Sequence, residues 1–364
     1  MCRERCDIKL EMCVDLGRIR RNLIEIKQKL CCPLTLMLKA DAYGHGMCEV
    51  ATATQDIVDC FGVVCIEEAF ALRERGVEKD ILVCACSPDE IAQCIRLGCI
   101  LSLHSFSQLD ALVGLIESGK VLPSDVRLHL KIDSGMRRLG FCNEDACEVL
   151  NTLVGKNINL EGVFSHLRDT STEQRNVFEK VSNKVRSVYG NCVRHLASSH
   201  SLDLEQMRFD AVRVGLFAYR GAMRITSKVI ATRRAYKGDF VSYGNYRLEN
   251  DTNLATVFGG YADGLANTKR VWIASHECRV VGNVCMDMFV VDCGEFMPNV
   301  GDRVLIIDSK TVNSVANDRG VSEYEVYTAI GRRVERRYEY DQTGGESRRQ
   351  NADCRDEKEP TRVG

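Results

Sequence analysis

Eight short apolar runs recur from residue 34 to about residue 220, with an amphipathic stretch between most successive pairs, and this rhythm constrains the fold more than any other feature. The runs are LTLMLK (34–39), FGVVCI (61–66), ILVCAC (81–86), ILSLHS (100–105), RLHLKID (127–133), LEGVFSH (160–166), VRHLAS (193–198) and AVRVGLFAY (211–219). Most are largely apolar rather than strictly alternating, as expected of parallel strands buried on both faces. Segments such as EEAFALRERG, PDEIAQCIRLG, SQLDALVGLIESG and TEQRNVFEKVSNKVRSVYG carry apolar residues three and four apart, the helical period. Eight strands separated by helices predict an α/β chain with a (β/α)8 TIM-type barrel. An open doubly wound sheet would normally carry a G-x-G-x-x-G turn, and the sequence has none.

The rhythm changes after about residue 225. SKVIATRRAYKGDFVSYG, NLATVFGGYADG, RVWIASHECRVVGNVCMDMFVVDCG and GDRVLIID are β-rich runs punctuated by turns such as Lys237-Gly238-Asp239. One late helix is expected around SVANDRGVSEYEVYTAI. The expected organisation is a barrel over 1–225, a mainly-β C-terminal domain over 226–340 and a disordered tail over 341–364, which is charged and poor in apolar residues.

Composition narrows the partners. Lys+Arg 49 against Asp+Glu 51 leaves a formal net charge of -2, so no global field points to nucleic acid or a membrane surface. No apolar run reaches the roughly 20 residues of a spanning helix, and the start, MCRERCDIKLEMC, lacks a signal-peptide apolar core. A cytoplasmic location is expected. The 19 cysteines are an odd number with no C-x-x-C pair, and many lie inside apolar runs, so they read as small buried hydrophobes; no metal site is expected.

The chemistry of such a barrel sits at the C-terminal ends of its strands. Those ends carry Lys39 with Tyr43, Arg138, His166, Ser199, and Arg213 with Gly215. A lysine at the tip of a buried strand is costly unless it snorkels or has a chemical role. Its companions can hold a carboxylate, relay a proton and cradle a phosphate.

LKADAYGHG resembles the cofactor-lysine motif of the alanine racemases. KIDSGMRRLGF, FSHL, HLASS, RVGLFAYRG, VSYG, GYADG, VCMDM and YEVYTAIGRRVERRY follow in that family's order, up to about residue 338. The resemblance implies a homodimeric enzyme using pyridoxal 5'-phosphate, with active sites shared across the interface and a small amino acid as substrate. It implies that Lys39 is the Schiff-base lysine and the base for one face of the substrate. Tyr243, from the other subunit, matches the base for the opposite face. A free tyrosine has a pKa of about 10, so it needs help near neutrality; His166 matches the imidazole beside it, with Arg213 and His195 further along the network.

By the same resemblance Arg213 faces the pyridine nitrogen. An arginine can donate to that nitrogen and does not readily give up its proton, which makes the ring a weaker electron sink. The phosphate is expected on Tyr43, Ser199, Tyr324 and the backbone of Gly215 and Leu216. Arg138, aided by Met286 of the partner subunit, is expected to hold the substrate carboxylate. Lys131 matches a position that is carbamylated in many family members. Departures from the family pattern are Val214, Ser198, Arg220 and Glu335, and none removes a named catalytic group. The resulting expectation is interconversion of L- and D-alanine, supplying D-alanine for peptidoglycan. The alternatives are a serine or broader amino-acid racemase of the same fold and a non-catalytic cofactor-binding barrel; bulky Tyr324 and Met286 at the mouth favour alanine.

Overall fold

The structure is a computed structural model and describes residues 10–340. The chain enters through strand β1 (Glu11–Asp15) and then builds eight parallel strands. These are β2 (Leu34–Met37), β3 (Cys60–Val63), β4 (Asp80–Val83), β5 (Ile100–Leu103), β6 (Leu128–Lys131), β7 (Gly162–Phe164), β8 (Val193–His195) and β9 (Val212–Val214). Each pairs with the strand before it from β3 to β8, and β9 returns to pair with β2 through Leu34↔Val212. A parallel bridge between His195 and Ala211 joins β8 to β9 and closes the barrel.

Helices wrap this barrel because each has one apolar stripe to bury. In the helix Thr172–Tyr189, Phe178, Val181 and Val185 form that stripe, spaced three and four apart. The helix Phe106–Glu117 starts at Ser105, whose hydroxyl accepts from the Gln108 N–H at 3.3 Å and satisfies an otherwise unpaired donor of the first turn.

The second sheet uses β10 (Met223–Ala235), β13 (Thr252–Phe258), β14 (Arg270–Ile273), β15 (His276–Val281), β16 (Met288–Asp292), β17 (Arg303–Ile307) and β18 (Glu335–Glu339). A small hairpin, β11 (Phe240–Val241) and β12 (Tyr246–Arg247), projects between β10 and β13. The strand order is β13-β16-β15-β14-β17-β10-β1-β18, and a further β13–β10 pairing closes six strands on themselves. One apolar cluster runs from this sheet into the barrel: Met12, Ile225 and Val271 belong to the same core as Leu36 and Leu130.

Three expectations need amendment. Strand β1 lies in the expected barrel segment 1–225 but pairs with β10 and β18 in the second sheet, because it buries only alternate residues, Met12 and Val14, and so has one dry face. The single late helix is two, Val312–Arg319 and Glu323–Thr328, because Gly320 takes a left-handed conformation (φ 68°) and Ser322 caps a new start. The run 211–219 is a strand only to Val214, after which Gly215 turns the chain into a short helix, Leu216–Tyr219. The expected tail, 341–364, lies outside the described residues.

Candidate active site at the barrel mouth

Strand β2 ends at Met37, and the Leu38 N–H makes a last bond to the Gly62 carbonyl at 2.7 Å. Lys39 then opens a rare turn. Ala40, Asp41, Ala42 and Tyr43 follow with φ of 53, 55, 52 and 56°, a left-handed helical turn of four residues that all carry a Cβ. That conformation costs about 1–2 kcal/mol per residue, so its surroundings must hold it. Glu68 Oε1 accepts from the Ala40 N–H at 2.8 Å, and the Asp41 carboxylate accepts from the Met47 N–H at 2.8 Å. His45 is fully buried with Nδ1 3.1 and 3.0 Å from the Ala42 and Tyr43 carbonyls, so Nδ1 carries the proton and donates. The turn sets the Lys39 ammonium 5.9 Å from the centre of the Tyr43 ring.

Tyr43 reaches the end of β9. A Cβ on Gly215 would overlap the Tyr43 hydroxyl, so only glycine lets that hydroxyl approach the backbone there. The Gly215 N–H donates to Ser199 Oγ at 3.0 Å. Tyr324, from the helix Glu323–Thr328, stands with its ring 5.7 Å from Tyr43 and its hydroxyl 3.4 Å from His200 Nδ1. Burial pushes the Tyr43 hydroxyl pKa up, so it remains a protonated donor. Tyr43, Ser199, Gly215 and Tyr324 are brought together, with Leu216 buried at the start of the short helix.

Arg213, on β9, is buried, with its guanidinium fixed by four acceptors. One terminal nitrogen donates to His195 Nδ1 and the His195 carbonyl, both at 2.7 Å; the other reaches the Ser165 carbonyl at 2.5 Å and the Leu196 carbonyl at 3.3 Å. Because arginine only donates, His195 Nδ1 must accept. His195 Nε2–H then donates to His129 Nδ1 at 3.0 Å, which fixes both tautomers. Burial, reinforced by Arg213, holds His195 well below its usual pKa, and burial lowers Arg213 itself only to about 10, so it stays charged at neutrality.

Lys131 and His166, at the ends of β6 and β7, line one small pocket with Arg138, Asp133 and Ser165. Lys131 packs 4.6 Å above the Phe164 ring, and burial with neighbouring Arg213 lowers it to about 8. His166 falls to about 3, first from burial and then from facing Arg213, Arg138, Lys131 and Lys39. Its backbone carbonyl accepts from Gln174 at 3.3 Å, and the imidazole chain from Arg213 runs through His195 to His129 rather than to His166. His129 is a residue that sequence reasoning passed over. Its signal was its place two before Lys131, which puts both side chains on one face of β6.

Tyr243 and Met286 lie on exposed loops of the C-terminal half. Tyr243 sits at the tip of the β11–β12 hairpin, 71% exposed, bridged to Asn283, and Met286 in the adjoining loop is 53% exposed. Among the described residues, neither lines the Lys131–Arg138 pocket.

Residues 14–222 match the family described as alanine racemase, N-terminal domain, and residues 222–338 match its C-terminal domain. The chain belongs to the alanine racemase family. Alanine racemase of Fusobacterium nucleatum is 31% identical over 357 residues, 89% of this chain and 98% of that protein. That of Salinispora arenicola is 32% identical over 367 residues, covering 90% and 98%. Among solved structures, alanine racemase from D-cycloserine-producing Streptomyces lavendulae superposes with TM-score 0.85 at 26% identity over 92% of this chain and 97% of that one. The Bacillus anthracis alanine racemase with bound L-Ala-P gives 0.83 at 27% identity, covering 92% and 95%.

Alanine racemases use pyridoxal phosphate, and the residues present suit it. The hydroxyls of Tyr43, Ser199 and Tyr324 around a glycine backbone are a neutral donor set of the kind that holds a phosphate without a lysine. Lys39 and the buried Arg213 add an amine and a cationic donor at neighbouring strand ends.

Proposed function

We infer that the chain interconverts L- and D-alanine with pyridoxal phosphate as cofactor. The observation that carries this is the convergence of a strand-end amine, a phosphate-type cradle and a buried arginine on one barrel mouth. When bound, the cofactor supplies the electron sink that makes the substrate's α-C–H acidic. Lys39 is the group that holds the cofactor and moves the α-proton on one face. Tyr43, Ser199, Tyr324 and the backbone of Gly215 and Leu216 hold the phosphate. Both terminal nitrogens of Arg213 are engaged by His195, Ser165 and Leu196, which leaves its Nε–H as the donor that would serve the ring nitrogen. A donor that keeps its own proton restrains the sink, which favours return of the proton to the α-carbon over transamination. Arg138 grips the substrate carboxylate, and Lys131, amine-neutral to a useful degree above pH 8, is poised for carbamylation.

Racemisation needs a second group on the opposite face, and the exposed Tyr243 fits that role when supplied across a homodimer, with the partner subunit's Met286 completing the carboxylate site. His166, kept neutral first by burial and then by the surrounding cations, suits a role accepting from such a tyrosine. A division near residue 225 between a barrel segment and a β-domain, with strand β1 lent to the β-domain, a cytoplasmic location and supply of D-alanine for peptidoglycan belong to the same reading. Among the described residues no helix is long and apolar enough to cross a membrane. The test is solvent deuterium uptake into the α-position of L-alanine together with appearance of D-alanine. Wild type does both; Lys39→Ala loses both, along with the visible absorbance of covalently held cofactor.

A further inference from the structure

We propose that Glu68 and Arg336 are positioning residues for Lys39, jointly clamping the left-handed turn Ala40–Tyr43 so that the C-terminal sheet fixes the cofactor lysine of its own chain. The proposal rests on the reading that Lys39 carries the cofactor. The turn cannot hold itself, because four successive left-handed L-residues have no intrinsic preference for that shape. Its restraints come from two sides.

On the barrel side, Glu68 from the helix Ile66–Glu74 spans two strand ends with one carboxylate. Oε1 accepts from the Ala40 N–H and Oε2 from the Val64 N–H, both at 2.8 Å. Charge-assisted bonds of this kind are roughly twice as strong as neutral ones, and here they tie the first left-handed residue to the end of β3. On the other side stands Arg336 of β18, nearly 300 residues further along the chain. Its Nε donates to the Gly44 carbonyl at 3.1 Å, and its terminal nitrogen lies 3.6 Å from the Asp41 carboxylate, with the side chain only 15% exposed. The fork therefore grips the turn and the glycine after it at once.

The same side supplies a wall. A Cβ on Gly44 would come within 2.5 Å of the Tyr327 carbonyl, and one on Gly46 would overlap the Tyr338 hydroxyl. Both glycines are there because residues 327–338 press on the turn. Arg336 is in turn seated by β1, whose Met12 is its register partner, with Arg337 paired to Glu11 at 3.2 Å. The first and last described strands thus meet to make the clamp.

The test uses the holoenzyme with Arg336→Ala and Glu68→Ala, and the conservative Arg336→Lys and Glu68→Gln. The expected result is faster amide hydrogen exchange in a peptide spanning 40–46, by about tenfold or more, with barrel strands β3 and β5 as protected as in wild type. In the same variants kcat falls about tenfold with little change in KM, cofactor is lost faster on dialysis, and the conservative variants recover part of each. Lys39→Ala keeps 40–46 protected while losing cofactor, which separates failure of the clamp from failure of the lysine assignment. Unchanged exchange at 40–46 in both alanine variants overturns the proposal, as does an equal rise throughout the barrel. If an alanine variant does not fold, the Lys and Gln variants are judged on the same ratio of turn to strand exchange.

Discussion

His45 illustrates how far single residues could be understood in advance. Flanked by two glycines a few residues after Lys39, it has the look of a catalytic imidazole, yet it is sealed between Tyr219 and Tyr327 with Nδ1–H spent on turn carbonyls. Burial lowers its pKa to about 4, so it serves the turn as a neutral donor. Lys39, Tyr43 and Arg213 stood out in the sequence because a charge or hydroxyl at the tip of an apolar run is anomalous. Glu68 did not, because a glutamate in the first turn of an amphipathic helix looks like an ordinary solvated residue. Tyr243 is the residue whose role is most sharply testable. Tyr243→Phe keeps the ring and removes only the hydroxyl, so cofactor absorbance should be retained. Racemisation should fall by at least about 100-fold, the range for losing a positioned acid or base. Exchange of the α-proton without inversion is the signature expected if Lys39 still acts on its own face. A variant as fast as wild type in both directions would refute the two-base reading.

At the level of elements, all eight barrel strands were legible because largely apolar runs recur between amphipathic stretches, but the starts and ends were not. Lys39 was read as the end of a strand although β2 stops at Met37, and nothing in the composition of KADAY announces a left-handed turn, since its restraints come from Glu68 and Arg336, distant in sequence. The β9 run was over-extended for a similar reason: FAY is as compatible with a strand as with the helix it forms, and only the approach of Tyr43 to Gly215 decides the bend. That approach gives a prediction. Gly215→Ala forces its methyl against the Tyr43 hydroxyl, so the proposed phosphate cradle should open. The cofactor should bind at least about tenfold more weakly, a loss near 1.4 kcal/mol, while thermal stability changes little because overpacking at a mouth can relax outward. Titration of the apoenzyme with pyridoxal phosphate reads the first effect and scanning calorimetry the second; unaltered affinity would remove Gly215 from the cradle. Strand β1 gives another. Met12 is completely buried where β1 meets β10, so Met12→Ala should cost about 2–5 kcal/mol in a denaturant titration, a loss too large for a strand outside the cooperative unit.

The whole molecule adds two properties that no single element has. Four histidines are held in neutral form: burial lowers His45 to about 4 and His129 and His166 to about 3, and holds His195 well below its usual value. An unfolded chain takes up these protons near pH 6.5 and the folded one does not, so their contribution is complete above about pH 6.5 and is lost as pH falls below it. Each adds a slope of up to about 1.4 kcal/mol per pH unit. Urea midpoints should therefore drop steeply between pH 6.5 and 4, before most carboxylates titrate; a flat profile there would contradict the buried network. The second property is the exposure of Tyr243 (71%) and Met286 (53%) on loops of the C-terminal half, while Lys39 follows the end of barrel strand β2. By the proposed reading each of these places is half a site, and a two-fold dimer would join unlike halves twice. Mixing purified Lys39→Ala and Tyr243→Phe proteins tests this without any structure of the assembly. Random exchange makes half the dimers mixed, and each mixed dimer regenerates one site with both wild-type groups beside one with neither. Activity should rise from near zero to about a quarter of wild type as subunits exchange, and dilution that slows reassociation should delay the rise. If both groups came from the same chain, no mixed dimer would hold a complete site, and the mixture would remain as inactive as its parts.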